Sequence, residues 1–393
     1  MKLPTRVLVA MSGGVDSSVA ALLMKKKGYD VLGVFMKNYS DTKNEFTGEC
    51  AWKDERKMAM KIASLLEISL ITLDFEKQYK KEVIEKMFHD YKRGITPNPD
   101  IDCNQKIKFP LLIKAMKKLN AKYLVTGHYA RIKNVNDNFQ LLRARDEMKD
   151  QSYFLYRLKQ KELKYLKFPV GDFTKKQVRE IARKNNFPNF DKKSTVGICF
   201  VGKINLKDFL KKKIKPKKGK ILSPDGKVIG EHDGIYYYTI GQRLGLRYGI
   251  SISKNSDDKR LMKRWYVARK DAKKNTIIAA PEGHLLLFRK EILIKNAHWI
   301  DKGEIKNLLS KNGRTNLQLS PDFPGRVGGK GLKKEMSVLA RIRQVGELLP
   351  CKIIFGKKIK VILKKSITGI SEGQAIVLYR GKEILGGGEI RFD

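Results

Sequence analysis

Two parts of the sequence carry residue types suited to group-transfer chemistry: a glycine- and serine-rich turn near its start, and two later cysteines. The turn, residues 12–18, stands between the apolar run Arg6–Ala10 and a run of helix-forming residues that ends at Gly28. Glycine lets a backbone approach a ligand closely, and a helix start offers unpaired N–H groups at the positive end of its dipole. The pattern therefore predicts a phosphate-binding turn, with an ordinary capped helix start as the alternative. It matches neither the Walker P-loop nor the G-x-G-x-x-G dinucleotide turn.

The first cysteine, Cys103, lies in residues 96–105, where two prolines and two asparagines predict a loop. Its polar neighbours favour a reactive thiol over core packing. Asp100 and Asp102 stand beside it, and either carboxylate is able to exchange a proton with a reacting group; an Asx turn is the alternative for both. Cys199 lies among small and apolar residues, so core packing and reactivity stay equally open there. Spacing alone does not show whether the two thiols meet.

The elements that must position these residues alternate in the first half of the chain. Strand-like runs occur at residues 31–36, 70–73 and 123–127, and helix-like runs at 53–66, 76–93 and 108–119. Such alternation predicts a parallel sheet with helices on both faces. Ligands bind at the carboxyl ends of the strands in these sheets, and the turn, Met36 and Gly127-His128 all fall at such ends. A hairpin around residues 136–138 and a capping box at Thr174 are also predicted.

The character of the sequence changes after a basic, proline-broken segment at residues 211–220. Short strand-like runs with glycine-rich turns follow and predict a small β-barrel. The expected fold class is α/β: a parallel-sheet nucleotide-hydrolase domain at 1–205, a small central β-rich domain at 206–282 and a C-terminal β-barrel at 283–393. Arg341, Arg343 and Gln344 lie along one strand-like run, as an exposed polar face or as RNA contacts. Cys351 precedes a strand and is expected in the core.

The charge of the chain is its most unusual property. Lys and Arg total 83 against 41 Asp and Glu, which gives a formal net charge of +42. A lysine-rich composition explains part of this excess, but the shortage of acids favours a polyanionic partner. Apolar runs approaching the roughly 18 residues of a membrane span are not found, so we expect a cytoplasmic protein without a membrane partner. The four cysteines form no C-x-x-C pair, which argues against a zinc site or a disulfide scaffold.

Residues 12–18 resemble the pyrophosphate loop of the N-type ATP pyrophosphatases. Four further motifs narrow the resemblance: Thr96-Pro97-Asn98-Pro99-Asp100 with Cys103-Asn104, Ile107-Lys108-Phe109, Gly197-Ile198-Cys199-Phe200, and Tyr238-Thr239-Ile240-Gly241-Gln242-Arg243. In this order, from the first strand to the barrel, they resemble the tRNA-specific 2-thiouridylases. Ala10 stands where the family usually has Gly, and Arg341-Ile342 where it has an Arg-Tyr pair.

The resemblance implies ATP-dependent adenylation of the C2 oxygen of the wobble uridine (U34) and its replacement by sulfur, giving 2-thiouridine, AMP and pyrophosphate. It implies that Cys199 carries the sulfur as a persulfide. Cys103 would be the nucleophile that releases the sulfur or attacks the activated base, ending in a transient Cys103–Cys199 disulfide. Asp100 would be the acid/base group. Other enzymes with the same loop, an amide-forming synthetase or a tRNA lysidine synthase, stay open, as does a non-catalytic RNA-binding protein.

The binding residues that the resemblance implies fall into three sets. ATP contacts would come from Ala10, Met11, Ser12, Gly13, Gly14, Val15, Asp16, Ser17, Met36 and Gly127. The target base would meet Asn98, Pro99 and Asp100. Further tRNA contacts would come from His128, Lys149, Asp150, Gln151, Arg341, Ile342 and Gln344. Magnesium would accompany the ATP, with no metal ligand assigned from protein side chains, and a cysteine desulfurase or relay protein would donate the sulfur.

Overall fold

The structure, a computed structural model, describes residues 3–40, 50–192, 205–245, 264–303, 305, 334–344 and 346–392. The strands are β1 (Arg6–Ala10), β2 (Asp30–Lys37), β3 (Leu70–Asp74), β4 (Tyr123–Val125), β5 (Ala130–Val135), β6 (Asn138–Arg143), β7 (Leu166–Lys167), β8 (Gly219–Leu222), β9 (Val228–His232), β10 (Arg243–Leu244), β11 (Trp265–Asp271), β12 (Thr276–Pro281), β13 (Phe288–Trp299), β14 (Lys334–Arg341), β15 (Leu349–Phe355), β16 (Ile359–Thr368), β17 (Ala375–Arg380) and β18 (Glu383–Arg391).

The helices are α1 (Val15–Lys26), α2 (Ala51–Leu65), α3 (Glu76–Tyr79), α4 (Lys86–Lys92), α5 (Pro99–Cys103), α6 (Phe109–Lys118), α7 (Gln160–Leu163), α8 (Lys175–Lys184) and α9 (Leu206–Lys211). Wider π-helical turns at Lys80–Glu85 and Asn104–Lys108 join α3 to α4 and α5 to α6. The capping box predicted at Thr174 is present: its hydroxyl accepts from the backbone of Gln177, whose side chain returns to the Thr174 backbone.

A parallel five-stranded sheet in the order β3-β2-β1-β4-β7 forms the first domain. The central strand β1 is buried on both faces: Leu8 packs into one hydrophobic cluster, and Val7 and Val9 into another. Helices therefore cover both sides of the sheet, as the alternating pattern predicts. Because the strands run in one direction, their carboxyl ends share one edge, which carries the turn after β1.

The prediction of a loop throughout residues 96–105 was wrong in its second half. Helix α5 begins at Pro99 and continues through the π-helical turn into α6. Asn98 caps it, since its side-chain oxygen accepts from the Ile101 backbone N–H at 3.3 Å, and Pro99 occupies the first turn. Proline lacks an N–H that the first turn would leave unpaired, so Asn-Pro starts this helix rather than breaking it. Cys103, expected outside an apolar environment, is fully buried in the core.

The predicted hairpin is β5–β6, with Asn136 and Asp137 at positive φ in its two-residue turn. Strand β6 pairs with β18 through Leu142 and Glu383, so the hairpin extends the sheet of the C-terminal barrel. The first domain is thereby joined to the last through main-chain pairing.

The remaining sheets confirm the predicted central β-rich domain and barrel. The central sheet has the order β10-β11-β12-β8-β9. Strands β13-β16-β15-β14-β17-β18 follow one another, and pairing of β13 with β18 closes them into a barrel. Its interior includes Cys351, whose predicted core position is confirmed; burial raises the pKa of this thiol to about 12. Within the described ranges, no helix is long and apolar enough to cross a membrane.

Candidate functional site

The turn between β1 and α1 is organised by its own serines. The hydroxyl of Ser17 donates to the Gly14 carbonyl at 2.9 Å and accepts from the Ser12 backbone N–H at 3.2 Å. Ser18 also donates to the Gly14 carbonyl, at 3.0 Å. Gly14 caps α1 without a side chain, so the first N–H groups of the helix face the turn uncovered by a capping group. This arrangement is suited to an anion.

Two glycines are required by close packing around this turn. Gly13 has φ +71°, and a Cβ there would collide with the carbonyl oxygen of Glu55 in α2. Gly127, which follows β4, lies against the first turn of α1: an added Cβ would be 2.6 Å from the Ser17 nitrogen. The structure thus brings Gly127 to the phosphate turn, 110 residues earlier in the chain, as the sheet topology predicts.

The side chain of Asp16 is held by two residues that the sequence reasoning missed. The Lys175 ammonium lies 2.6 and 2.8 Å from its two carboxylate oxygens, and the Tyr129 hydroxyl donates to it at 2.8 Å. Burial, together with the charge of Asp16, raises the pKa of Tyr129, so the hydroxyl stays a donor. The capping box that starts α8 was the only local signal for Lys175, because it fixes the residue in the first helical turn.

Buried polar atoms near the turn test whether a nucleotide would fit. Asn189 donates to the Gly13 carbonyl at 3.1 Å and to the Ser18 hydroxyl at 3.0 Å, but its side-chain oxygen has no partner among the described residues. Both amide atoms of Asn38, just beyond β2, are also buried without such a partner. The turn's N–H groups, Lys175 and these amides provide donors and acceptors that fit a nucleotide triphosphate.

The other residues predicted to contact ATP lie along the same edge. Ala10 ends β1 beside Val34 of β2, and the backbone N–H of Met11 donates to the Val34 carbonyl at 2.8 Å. Met36, two residues further along β2, is buried, as are Met11 and Val15. Among the described residues, no group of three or more His, Cys, Asp or Glu side chains is arranged to hold a metal ion.

Helix α5 carries the predicted base-contacting and sulfur-chemistry residues. Asn98, Pro99 and Asp100 form its partly exposed start, and Cys103 ends it in the core. Asp102 is buried, unlike the partly exposed Asp100, with one oxygen 2.9 Å from the Lys86 ammonium and the other 3.5 Å from Arg157. Burial raises the pKa of Asp102 although both cations oppose the rise.

His128 connects this helical segment to the phosphate turn. Its Nδ1 lies 2.6 Å from the Thr126 hydroxyl, and its Nε2 lies 3.4 Å from the ammonium of Lys108, which ends the π-helical turn after Cys103. Burial, with the charge of Lys108 as a smaller cause, holds the pKa of His128 well below its usual value, so the ring is neutral at pH 7. Since His128 directly follows Gly127, one short stretch contacts both the nucleotide turn and the cysteine-bearing segment.

The segment that enters α5 is clamped by the two later domains. The hydroxyl of Thr96 lies 3.5 Å from that of Thr239 in the central domain and accepts from Ser371 of the barrel at 3.2 Å. Its backbone N–H donates to the Glu372 carbonyl, and the Gln374 amide donates to its carbonyl, both at 3.0 Å. The position of Asn98 and Asp100 therefore depends on all three domains.

Two of the residues predicted to contact tRNA, Asp150 and Arg341, form a buried ion pair with each other. Asp150 and Arg341 are joined by a 2.6 Å contact, and their side chains are 0% and 4% exposed. Asp150 also accepts from Ser152, and Arg143 lies 3.5 Å away. Ile342 is buried as well, and its carbonyl accepts from the Tyr153 hydroxyl at 3.2 Å. In this conformation these side chains tie the first domain to the barrel.

The remaining predicted contacts are more open. Lys149 and Gln344 are exposed, and Gln151 is half-buried, with its side-chain oxygen accepting from the Tyr129 backbone. Cys199, the predicted persulfide carrier, falls in residues 193–204, outside the described residues. The predicted Cys103–Cys199 disulfide is therefore untested and stays a prediction.

The parallel sheet and its phosphate turn define a nucleotide-binding α/β domain followed by two β-domains. Three family models match in the same order: a tRNA methyl transferase HUP domain at residues 5–203, a tRNA methyl transferase PRC-barrel domain at 207–281 and an aminomethyltransferase beta-barrel domain at 289–390.

Similarity to named relatives identifies the family of the chain. The chain is 39% identical over 387 residues to the tRNA-specific 2-thiouridylase MnmA of Coxiella burnetii (strain Dugway 5J108-111), covering 98% of this chain and 97% of that one. It is 38% identical to MnmA of Bacillus pumilus (strain SAFR-032), covering 98% and 95%, and to MnmA 2 of Aliarcobacter butzleri (strain RM4018), covering 98% of each. The chain belongs to the tRNA-specific 2-thiouridylase family.

Solved structures add little to this assignment. A 4-thiouridine synthetase–RNA complex with bound ATP covers 53% of this chain and 50% of its own, with 13% identity and a TM-score of 0.33. An NMN synthetase from Francisella tularensis covers 49% and 67%, with 15% identity and a TM-score of 0.31. Likenesses this low carry no argument about function.

Proposed function

We propose that the protein is an ATP-dependent tRNA-uridine 2-sulfurtransferase, which replaces the C2 oxygen of the wobble uridine with sulfur. One observation carries the proposal: residues 127–128 contact both the phosphate turn and the helical segment that contains Cys103. This contact supports a nucleotide on the turn lying near the segment that carries a thiol and a carboxylate. The formal charge of +42 suits a tRNA partner.

The chemistry that we propose begins at the phosphate turn. The C2 oxygen of uridine attacks the α-phosphorus of ATP, and pyrophosphate leaves; the adenylated oxygen then departs as part of AMP when sulfur attacks C2. The uncovered N–H groups of α1 and the Lys175 ammonium would bind the departing phosphates. Magnesium would offset the triphosphate charge, with Asp16 as the nearest carboxylate of the turn.

Sulfur delivery is proposed for the two cysteines. Cys199 would receive a persulfide from a donor protein, a cysteine desulfurase or relay protein. Cys103 would release the sulfur or attack the activated base, and formation of a Cys103–Cys199 disulfide balances the reduction of the persulfide sulfur. Asp100 would exchange the proton, and Asn98 with Pro99 would contact the base. Lys149, Gln151 and Gln344 are proposed tRNA contacts, while Asp150 and Arg341 are proposed to act by positioning.

We also propose the domain boundaries 1–205, 206–282 and 283–393, which the three separate family-model matches support. The descriptions of two of these models mention methyl transfer, whereas the curated relatives are 2-thiouridylases. The phosphate turn favours the ATP-dependent reaction, because methyl transfer from a sulfonium donor needs no triphosphate site.

The experiment that tests the proposal is nucleoside mass spectrometry of unmodified tRNA incubated with the enzyme, ATP and a persulfide donor. We expect 2-thiouridine only with ATP, and none with Cys103→Ser or Cys199→Ser. Cys351→Ser is the matched control, since that thiol is buried in the barrel. Full thiolation by either of the first two variants would contradict the sulfur mechanism. Pyrophosphate release by the wild-type enzyme with tRNA and a persulfide donor, but without any 2-thiouridine, would favour an amide-forming or lysidine-type enzyme.

A further inference from the structure

A cavity of about 490 Å³ lies where the three domains meet. Its wall includes Arg93 and Gly94 after α4, Arg269 and Lys270 of β11, and Arg289 of β13. Gly94 marks the contact between domains, since a Cβ there would lie 3.5 Å from the Ala272 side chain of the central domain. None of the residues predicted to contact ATP or the target base lines this cavity.

Positive charge dominates the wall. Two acidic side chains, Glu291 and Glu372, face six basic ones: Arg93, Arg269, Lys270, Arg289, Lys360 and Arg391. Lys360 is paired with Glu291 at 2.8 Å, and Arg391 with Glu389 at 3.2 Å. Arg93, Arg269 and Arg289 form no ion pair with any of the residues that the structure describes. Guanidinium groups that are clustered and lack an ion-pair partner are suited to bind an anion, and their planar N–H edges match phosphate oxygens.

The geometry of the cations supports a built site. The guanidinium of Arg289 lies 3.5 Å from the centre of the Phe392 ring, which fixes its plane. Burial and the charge of Arg269 lower the pKa of Arg289, with Glu372 opposing the shift. The Lys270 ammonium donates to the Tyr238 carbonyl at 2.8 Å; burial lowers its pKa to about 8, opposed by Glu372.

Both central arginines stand beside irregularities in their strands. The pairing of β11 with β12 shifts register between Val267 and Arg269, and that of β13 with β16 shifts between Arg289 and Glu291. A bulge re-aims the side chains next to it and recurs beside functional sites. Two bulges from two domains thus turn arginines toward one cavity.

The wall of this cavity also holds the segment that enters α5. Glu372 and Ser371 line it, and the same two residues bind the backbone N–H and the hydroxyl of Thr96. Asn98 follows two residues later. An anion bound between the domains would therefore stabilise the clamp that positions the base-contacting residues.

We propose that this junction cavity binds a backbone phosphate of the RNA substrate, away from the base that reacts. The inference rests on the proposed function for the identity of the RNA. An RNA phosphate is favoured over a small free anion because the cations come from all three domains, beside the segment proposed to meet the base. Binding of this phosphate would thereby link the docking of the tRNA to the positioning of Asn98 and Asp100.

The test is tRNA binding by the full-length protein at several salt concentrations, with the double variant Arg269→Gln/Arg289→Gln. Each lost phosphate contact lowers the slope of log K against log salt by about 1, so we expect a slope smaller by about 1–2 and affinity weaker by roughly tenfold near 0.1 M salt. Lys114→Gln/Lys118→Gln, which removes two exposed charges one turn apart on α6, is the matched control and should change affinity less than threefold. Arg269→Lys/Arg289→Lys should recover part of the slope.

A second titration uses inorganic phosphate and pyrophosphate in place of tRNA. Tight binding of either anion that is lost in the glutamine variant, with tRNA affinity and salt slope unchanged, would overturn the assignment to RNA. Equal loss in the glutamine and control variants would overturn the site. These failures differ from failure of the proposed function, in which wild-type protein yields no 2-thiouridine. The midpoint of urea denaturation should be the same in every variant, which would show that all of them fold properly.

Discussion

Two carboxylate–cation pairs, one within the first domain and one between that domain and the barrel, differ in how far they are exposed to solvent. Asp16 and Lys175 lie beside the phosphate turn, with side chains 29% and 11% exposed. Asp150 and Arg341 are sealed between the first domain and the barrel, at 0% and 4%. A pair that a ligand can reach is able to exchange its carboxylate for a phosphate, whereas a sealed pair keeps its partner. We therefore propose that the first pair takes part in ATP binding and that the second holds the two domains in position.

The largest effect on stability is expected at the sealed pair. Arg341→Met leaves the Asp150 carboxylate buried with Arg143, 3.5 Å away, as its one remaining cation among the described residues, so the free energy of unfolding should fall by about 3–5 kcal/mol. Urea denaturation measures it. Asp150→Asn/Arg341→Met leaves no uncompensated charge and should lose distinctly less. Equal losses in the single and double variants would show that packing, not the ion pair, joins the domains.

The Asp16–Lys175 pair should show the reverse pattern, with a large loss of activity and a small loss of stability. Lys175→Met removes the cation that would meet the triphosphate, so tRNA-dependent pyrophosphate release should slow by about 10²–10³. The free energy of unfolding should change by no more than about 1 kcal/mol, because the pair is partly exposed. Lys176→Met, the exposed neighbour, is the control and should retain activity. A stability loss without a fall in kcat would place Lys175 with the positioning residues.

Gly127 tests the packing of the phosphate turn. Gly127→Ala adds a Cβ only 2.6 Å from the Ser17 nitrogen, so the first turn of α1 must shift. We expect ATP affinity, measured by calorimetry, to weaken by roughly tenfold, since a shift of the N–H groups weakens their hydrogen bonds to phosphate. Gly245→Ala, at a glycine whose added Cβ would have no atom of the described residues within 4 Å, should bind ATP normally. Unchanged affinity in Gly127→Ala would separate this glycine from the nucleotide site.

The smallest effect is expected at Tyr129. Tyr129→Phe removes the hydroxyl that donates to Asp16 but leaves Lys175 in place. One lost hydrogen bond of about 1 kcal/mol corresponds to a fall of about fivefold in the pyrophosphate-release rate. A loss as large as that of Lys175→Met would mean that the hydroxyl, rather than the ammonium, orients Asp16.

Local interactions explain which features the sequence could predict. The phosphate turn depends on residues within one strand–turn–helix unit, and the sheet topology then predicts that Gly127 meets it. Helix α5 was missed because prolines and asparagines are typical of loops, although Asn98-Pro99 is also a helix start. The ion pairs of Lys175 and Arg341 could not be predicted, since their partners lie 159 and 191 residues away. Only the packed domains create those pairs.

The central claim, that ATP activates the C2 oxygen of uridine, has one direct measurement. The enzyme is given ATP, a persulfide donor and tRNA labelled with ¹⁸O at C2 of the wobble uridine, and the released AMP is analysed by mass spectrometry. The proposed reaction transfers that oxygen to phosphorus, so each 2-thiouridine formed should yield one AMP carrying ¹⁸O. Unlabelled AMP accompanying 2-thiouridine would contradict the claim, because the oxygen would then have left by another route.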